Sequence, residues 1–198
     1  EILRCLVGSE MCIRDSRSGV MPFAQAAVVS SGSQNNLIEM TISQQQDPSY
    51  RLLSAMVVKT DNGFCCVETV YTKEFVPNSM SAIPTSEQTA SIRLTHTWYR
   101  SGTMVCTLQI NPSFCYTGSS AYVKSENMRP AFQQGEPNSA YALGNLTAHN
   151  SNSANDKASI VQPYTVSDKY GNTSTSSFRA YCTVTGVCTG NNKESHNF

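Results

Sequence analysis

An all-β fold built as a two-sheet β-sandwich, of jelly-roll or immunoglobulin-like kind with seven to nine short antiparallel strands, is what the sequence predicts. Three observations carry this. Apolar side chains recur with period two in segment after segment, the pattern of strands with one buried face, while the amphipathic helix template is nearly absent. Turn-forming Asn, Gly, Pro and Ser clusters punctuate those segments. Of 198 residues, Ser contributes 27, Thr 18, Asn 15 and Gln 10, against only 14% charged, and such a chain is short of strong helix formers. A single open sheet would leave the apolar faces uncovered, so two sheets packed face to face are expected.

In chain order, Ile38, Met40 and Ile42 alternate with Glu39, Thr41 and Ser43 and read as a half-buried strand. Tyr50–Lys59 and Phe64–Phe75 flank Asp61-Asn62-Gly63, and Asn-Gly is the strongest short hairpin signal because it accepts positive φ. After a Pro- and Ser-containing link at 77–89, Ile92, Leu94, His96 and Trp98 share one strand face, with Arg93, Thr95, Thr97 and Tyr99 on the other. Arg100-Ser101-Gly102-Thr103 turns the chain. The return strand groups Met104, Cys106, Leu108 and Ile110 against Val105, Thr107 and Gln109, and Asn111-Pro112 stops it, since proline brings no donor to the ladder. Ala121–Lys124 is a further short strand. Residues 126–157, poor in apolar residues apart from Tyr141-Ala142-Leu143, read as a long exposed connection. Two last strands, Ser159–Val166 and Ser176–Thr185, join through Asp168-Lys169-Tyr170-Gly171-Asn172, and Phe178, Ala180, Cys182 and Val184 face inward together.

Residues 1–16, Glu-Ile-Leu-Arg-Cys-Leu-Val-Gly-Ser-Glu-Met-Cys-Ile-Arg-Asp-Ser, break from this pattern in composition. The string closely resembles translated sequencing-adaptor read-through at the ends of assembled environmental transcripts. It is therefore expected to be a non-native N-terminal tract that contributes nothing to the fold, with 17–198 forming one domain. A genuine strand around Ile2–Val7 is the competing reading. A foreign tract would also empty the missing signal peptide of meaning.

With Cys5 and Cys12 set aside, Cys65, Cys66, Cys106, Cys115, Cys182 and Cys188 remain. An even number in a polar, lightly charged chain favours disulfides in an oxidising compartment, and the local pairings Cys106–Cys115 and Cys182–Cys188 are the expected ones. Reduced, buried thiols acting as small apolar residues are the alternative. No Cys-x-x-Cys or His-x-x-x-His spacing seeds a zinc site.

Chemistry-bearing motifs are scarce. Gly-x-Ser-x-Gly, His-Glu-x-x-His, phosphate-binding and dinucleotide loops do not occur. His96 reads as a hydrogen-bonded core histidine, and His149 and His196 as solvated. Glu39 and Glu68 fall on predicted strands and are a candidate pair of glycosidase carboxylates, and both fit ordinary outward-facing strand residues. The loop 150–156 offers too few carboxylates for calcium. Asn145-Leu146-Thr147 and Asn172-Thr173-Ser174 match the glycosylation pattern no more often than chance spacing gives. No catalytic, cofactor or metal residue is assigned.

The balance of 14 basic and 14 acidic residues, with no basic cluster, leaves no nucleic-acid footprint. No apolar run reaches the ~18 residues of a spanning helix. What remains is a surface of hydroxyls and amides with the tyrosines Tyr99, Tyr116, Tyr122, Tyr170 and Tyr181, a composition suited to adaptable contacts. The expected function is a non-enzymatic, extracellular-type module acting by surface recognition or adhesion, with a protein or glycan surface as partner. A viral coat protein that packs against copies of itself, located in the virion, is the alternative. A secreted carbohydrate-active hydrolase or lyase is third.

Overall fold

A computed structural model describes residues 27–29, 32–44, 47–73, 86–124 and 128–190. Residues 1–16, His196 and most of the link at 77–89 lie outside these.

The chain runs β1 (Ala27–Val29), α1 (Gly32–Gln44), β2 (Tyr50–Lys59), β3 (Phe64–Lys73), β4 (Gln88–Arg100), β5 (Thr103–Ile110), β6 (Ser113–Tyr116), β7 (Ala121–Val123), β8 (Ala131–Gln134), β9 (Ala140–Leu143), β10 (Thr147–His149), β11 (Lys157–Ser167), β12 (Thr173–Thr183) and β13 (Cys188–Gly190). An eight-stranded sheet takes the order β1-β2-β3-β4-β5-β8, with β6 beside β4 and β7 beside β6. The second sheet is five-stranded, β10-β11-β12-β13, with β9 beside β11. All pairings are antiparallel except β1 with β2. The two-sheet sandwich is therefore present, with thirteen strands among the described residues against the seven to nine expected.

The main core lies between the sheets. Phe64, Cys66 and Val70 of β3, Ile92, Leu94 and Trp98 of β4 and Cys106, Leu108 and Ile110 of β5 meet Ile160, Tyr164 and Val166 of β11 and Phe178, Ala180 and Cys182 of β12. β11 alternates strictly between buried and half-buried along its length, as one face of a pleated strand must. Its turn to β12 forms where Asp168 Oδ1 accepts from the Tyr170 and Asn172 backbone N–H groups, both at 2.9 Å. Gly63 closes the β2–β3 hairpin at φ +81°, and Ser101 and Gly102 close β4–β5 at +50° and +78°, so these turns formed where the sequence placed them.

Four expectations are corrected. The segment holding Ile38, Met40 and Ile42 is helical: Leu37, Ile38 and Ile42 form a stripe at helical spacing that packs on Ala55, Val67 and Tyr99, while Glu39 and Met40 stay exposed. A period-two reading of Ile38, Met40 and Ile42 overlooked Leu37, whose inclusion makes the pattern helical. This helix covers part of the outer face of the large sheet and adds a third layer. Second, a bulge opposite Trp98/Tyr99 leaves Val105 as the extra residue, so Val105 joins the main core and Met104 turns to the helix side with Tyr99.

Third, residues 126–157 are not strandless: β8, β9 and β10 fall within them, all at sheet edges and mostly exposed. Edge strands need only one paired side and little apolar surface, so their sequences carry no alternation to read. Fourth, Asn111-Pro112 interrupts the ladder without reversing the chain. β5 pairs with the C-terminal half of β4, β6 with its N-terminal half, and the Pro112 carbonyl accepts from Ile92 N at 3.1 Å.

That continuity bears on the expected disulfides. Cys106 faces Trp98 and Cys115 faces Thr89, positions nine residues apart along β4. At ~3.3 Å per residue this is about 30 Å, against the ~7 Å a disulfide spans, so the Cys106–Cys115 bridge is ruled out. Cys182 and Cys188 are directly opposed on β12 and β13, yet both are free thiols, as are the other four described cysteines.

Candidate functional site

The outward side chains of β3, β4, β5 and β8 form rows across the large sheet beyond the cover of α1. Register sets Tyr71 opposite Arg93, Thr95 opposite Gln109 and Thr107 opposite Gln133. Together with Met104, these residues line a depression of about 380 Å³. Because strand side chains alternate, each of these hydroxyl, amide and guanidinium groups shares the face opposite the main core.

The basin's one cation is held in place. Arg93 Nη1 donates to Asp47 Oδ2 at 3.0 Å, its Nε reaches Asn111 Oδ1 at 3.4 Å, and its guanidinium carbon lies 3.6 Å from the Tyr50 ring centroid. The Asp47 carboxyl is held below its ordinary value, first by the Ser49 hydroxyl and backbone and then by Arg93. Burial pushes the Tyr71 phenol upward, so it stays a neutral hydroxyl. At the floor, Thr95 is 2% exposed and its Oγ1 is buried without a hydrogen-bond partner among the described residues. Leaving a buried hydroxyl unmatched costs about 1–3 kcal/mol.

A second constellation lies on the other face. β3 alternation puts Cys66 and Glu68 on the inner side, and register sets His96 directly opposite Glu68 and Trp98 opposite Cys66. A ligand atom of each of Cys66, Glu68 and His96 lies within 4.8 Å of the others, and all three residues are buried. From the second sheet the Tyr164 hydroxyl contacts His96 Nδ1 and accepts from Trp98 Nε1 at 3.1 Å. The His96 ring also packs 4.2 Å from that of Phe178, centroid to centroid. Burial raises the Cys66 thiol well above its ordinary value, and the neighbouring Glu68 charge adds to this, so the group is a thiol and not a ready nucleophile.

The expected site residues fall as follows. Glu68 faces the core and Glu39 sits exposed on α1, on the opposite side of the sheet, so they form no carboxylate pair. His96 is buried and hydrogen-bonded as expected, and His149 is exposed, 2.7 Å from Asp156 Oδ2. Of the five tyrosines expected at the surface, Tyr99 and Tyr116 are buried. Tyr99 packs under α1 with its hydroxyl 2.8 Å from Thr41 Oγ1, so the helix takes it out of the surface. Tyr122 and Tyr181 are half-buried, the former bonded to Glu87. Tyr170 alone of the five stands well out, at 76% exposure. Sequence reasoning missed both the basin and the cluster. The alternation of Arg93, Thr95, Thr97 on one side and His96, Trp98 on the other was visible, but the cross-strand register that assembles each set was not.

No helix among the described residues is long and apolar enough to cross a membrane. Comparison with known proteins finds no matching family model, no matching curated protein and no matching solved structure.

Proposed function

We propose that the protein is a non-enzymatic recognition module of extracellular or virion type whose polar basin receives a hydroxyl-rich ligand of the glycan class. The observation that carries this is the register that brings the polar side chains of Arg93, Thr107, Gln109 and Gln133 to one face of the large sheet, where they line a single basin. Gln109, Gln133 and Thr107 offer both donors and acceptors to the hydroxyls of such a ligand. Small-molecule pockets are usually mostly apolar. A basin floored by amides and hydroxyls suits a ligand of the same character. The reacting groups an enzyme needs do not converge here: the lining holds no carboxylate, thiol or imidazole.

A glycan array probed with the full chain tests this. The reading expects a defined class of glycans to bind and Gln109→Ala to weaken that binding about tenfold, the loss of one hydrogen bond of ~1.4 kcal/mol. No binding across the array would overturn it.

A second reading, packing against copies of itself as in a viral shell, is favoured by one observation. Phe132 of β8 and Tyr141 of β9 stack at 5.1 Å between centroids across the edges of the two sheets, and Phe132, Leu143 and nearby Leu146 are exposed. Open edges bearing apolar side chains are pairing surfaces. Sizing at increasing concentration separates the two: assembly that Phe132→Lys abolishes would favour the shell.

A further inference from the structure

We propose that Cys66, Glu68 and His96 form a three-ligand binding site for a divalent metal ion of the zinc type, buried between the sheets and independent of the recognition reading. The three donors come from adjacent positions on the inner face of the two central strands, with Glu68 and His96 directly paired in register. A thiolate, a carboxylate and an imidazole are the donor types zinc takes, at metal–ligand distances of about 2.0–2.3 Å. Such distances separate tetrahedral donors by roughly 3.3–3.8 Å. Ligand atoms already within 4.8 Å of one another close to that spacing by small side-chain rotations.

Charge balance adds to the geometry. Glu68 is buried, at 8% exposure, beside Cys66 and His96. One divalent cation with one thiolate, one carboxylate and one neutral imidazole sums to zero, so the filled site is neutral inside the core. On binding, the metal–sulfur bond forms as the thiol proton leaves to solvent. The Tyr164 hydroxyl at His96 Nδ1, itself anchored by Trp98 Nε1, fixes the imidazole in the manner of an outer-shell partner.

The alternative is a polar network in which Glu68 and His96 satisfy each other and Cys66 is only a small apolar residue. The two differ in what Cys66 does. The full chain, stripped with chelator, would be titrated with Co²⁺ and then Zn²⁺. The proposal expects one Co²⁺ per chain, a near-ultraviolet thiolate-to-cobalt charge-transfer band that Zn²⁺ abolishes, and a higher melting temperature in the loaded protein. Cys66→Ser should remove the band and weaken uptake at least about 100-fold, since even outer-shell changes cost 10–100-fold. A variant with Cys5, Cys12, Cys182 and Cys188 all changed to Ser should keep the band. Absence of the band in the wild type, its persistence in Cys66→Ser, or its loss in the fourfold variant would overturn the assignment. Should Cys66→Ser fail to fold, X-ray absorption of zinc-loaded wild type decides: one sulfur with nitrogen and oxygen neighbours supports the site, and no sulfur or two sulfurs contradicts it.

Discussion

Tyr164 of β11 reaches across the core to His96 of β4, and its hydroxyl serves both the His96 ring and the Trp98 indole N–H. It is thus a polar bolt between two sheets that also meet here through ring packing of His96, Trp98, Tyr164 and Phe178. Tyr164→Phe keeps the ring and strands the Trp98 donor. The expected loss is about 1–3 kcal/mol, the cost of an unmatched buried polar group. Trp98→Ala should lose about 3–5 kcal/mol as a large-to-small core change, whereas exposed Thr175→Ala should stay within ~0.5 kcal/mol. Chemical denaturation of the three variants checks this order.

Acid should loosen the far end of the same interface. Arg100 at the end of β4 pairs with Asp168 in the β11–β12 turn, a carboxyl whose side chain is almost fully enclosed. Burial works to raise the Asp168 pKa, but hydrogen bonds from the Asn172 side chain, Arg100 and the Asn172 and Tyr170 N–H groups outweigh it and bring it from 3.8 to about 2. A folded-state pKa below the unfolded one gives stability that is fully present above pH 3.8 and is lost as pH falls through about 2. Melting temperatures measured across that window should fall in the wild type and vary less in Asp168→Asn.

Local chemistry made much of the sandwich legible. The Asn62-Gly63 and Ser101-Gly102 turns, the inward set of β12 and the Ile92–Trp98 face all rest on neighbours in sequence, and each formed as read. What failed depended on distant partners. The helix holding Ile38 is decided by the sheet face that Leu37, Ile38 and Ile42 cover. Met104 and Val105 exchange faces because of a bulge set by β4. Edge strands β8 to β10 owe their form to single neighbours. Both candidate sites are products of register, which no single strand encodes.

The thiols divide sharply. Thr183 N donates to Val187 O at 3.0 Å, which leaves Cys182 and Cys188 as the adjoining non-hydrogen-bonded pair, with Cα atoms about 4.5 Å apart. A hydrogen bond between the thiols holds Cys182 below its ordinary value and raises Cys188. Mild oxidation followed by non-reducing peptide mapping should link these two and leave Cys106 and Cys115 available to alkylation after denaturation. A fragment joining Cys106 to Cys115 would contradict the β5–β6 register.

Thr95→Val tests whether the Thr95 hydroxyl, enclosed beneath the basin, goes unmatched. Replacing a hydroxyl that has no mate by a methyl of similar shape should leave the ligand-free protein as stable as wild type or up to about 1 kcal/mol more so. A loss above that size would show that Oγ1 is satisfied in the free protein.

The most direct measurement is a ¹⁵N NMR titration of the full chain with a glycan selected on the array. The account predicts saturable shifts confined to Tyr71, Arg93, Thr95, Gln109, Gln133 and their strand neighbours, with Tyr170 and Phe132 unmoved. Shifts centred on Tyr170 or the Phe132–Tyr141 edge, or none at all, would contradict it.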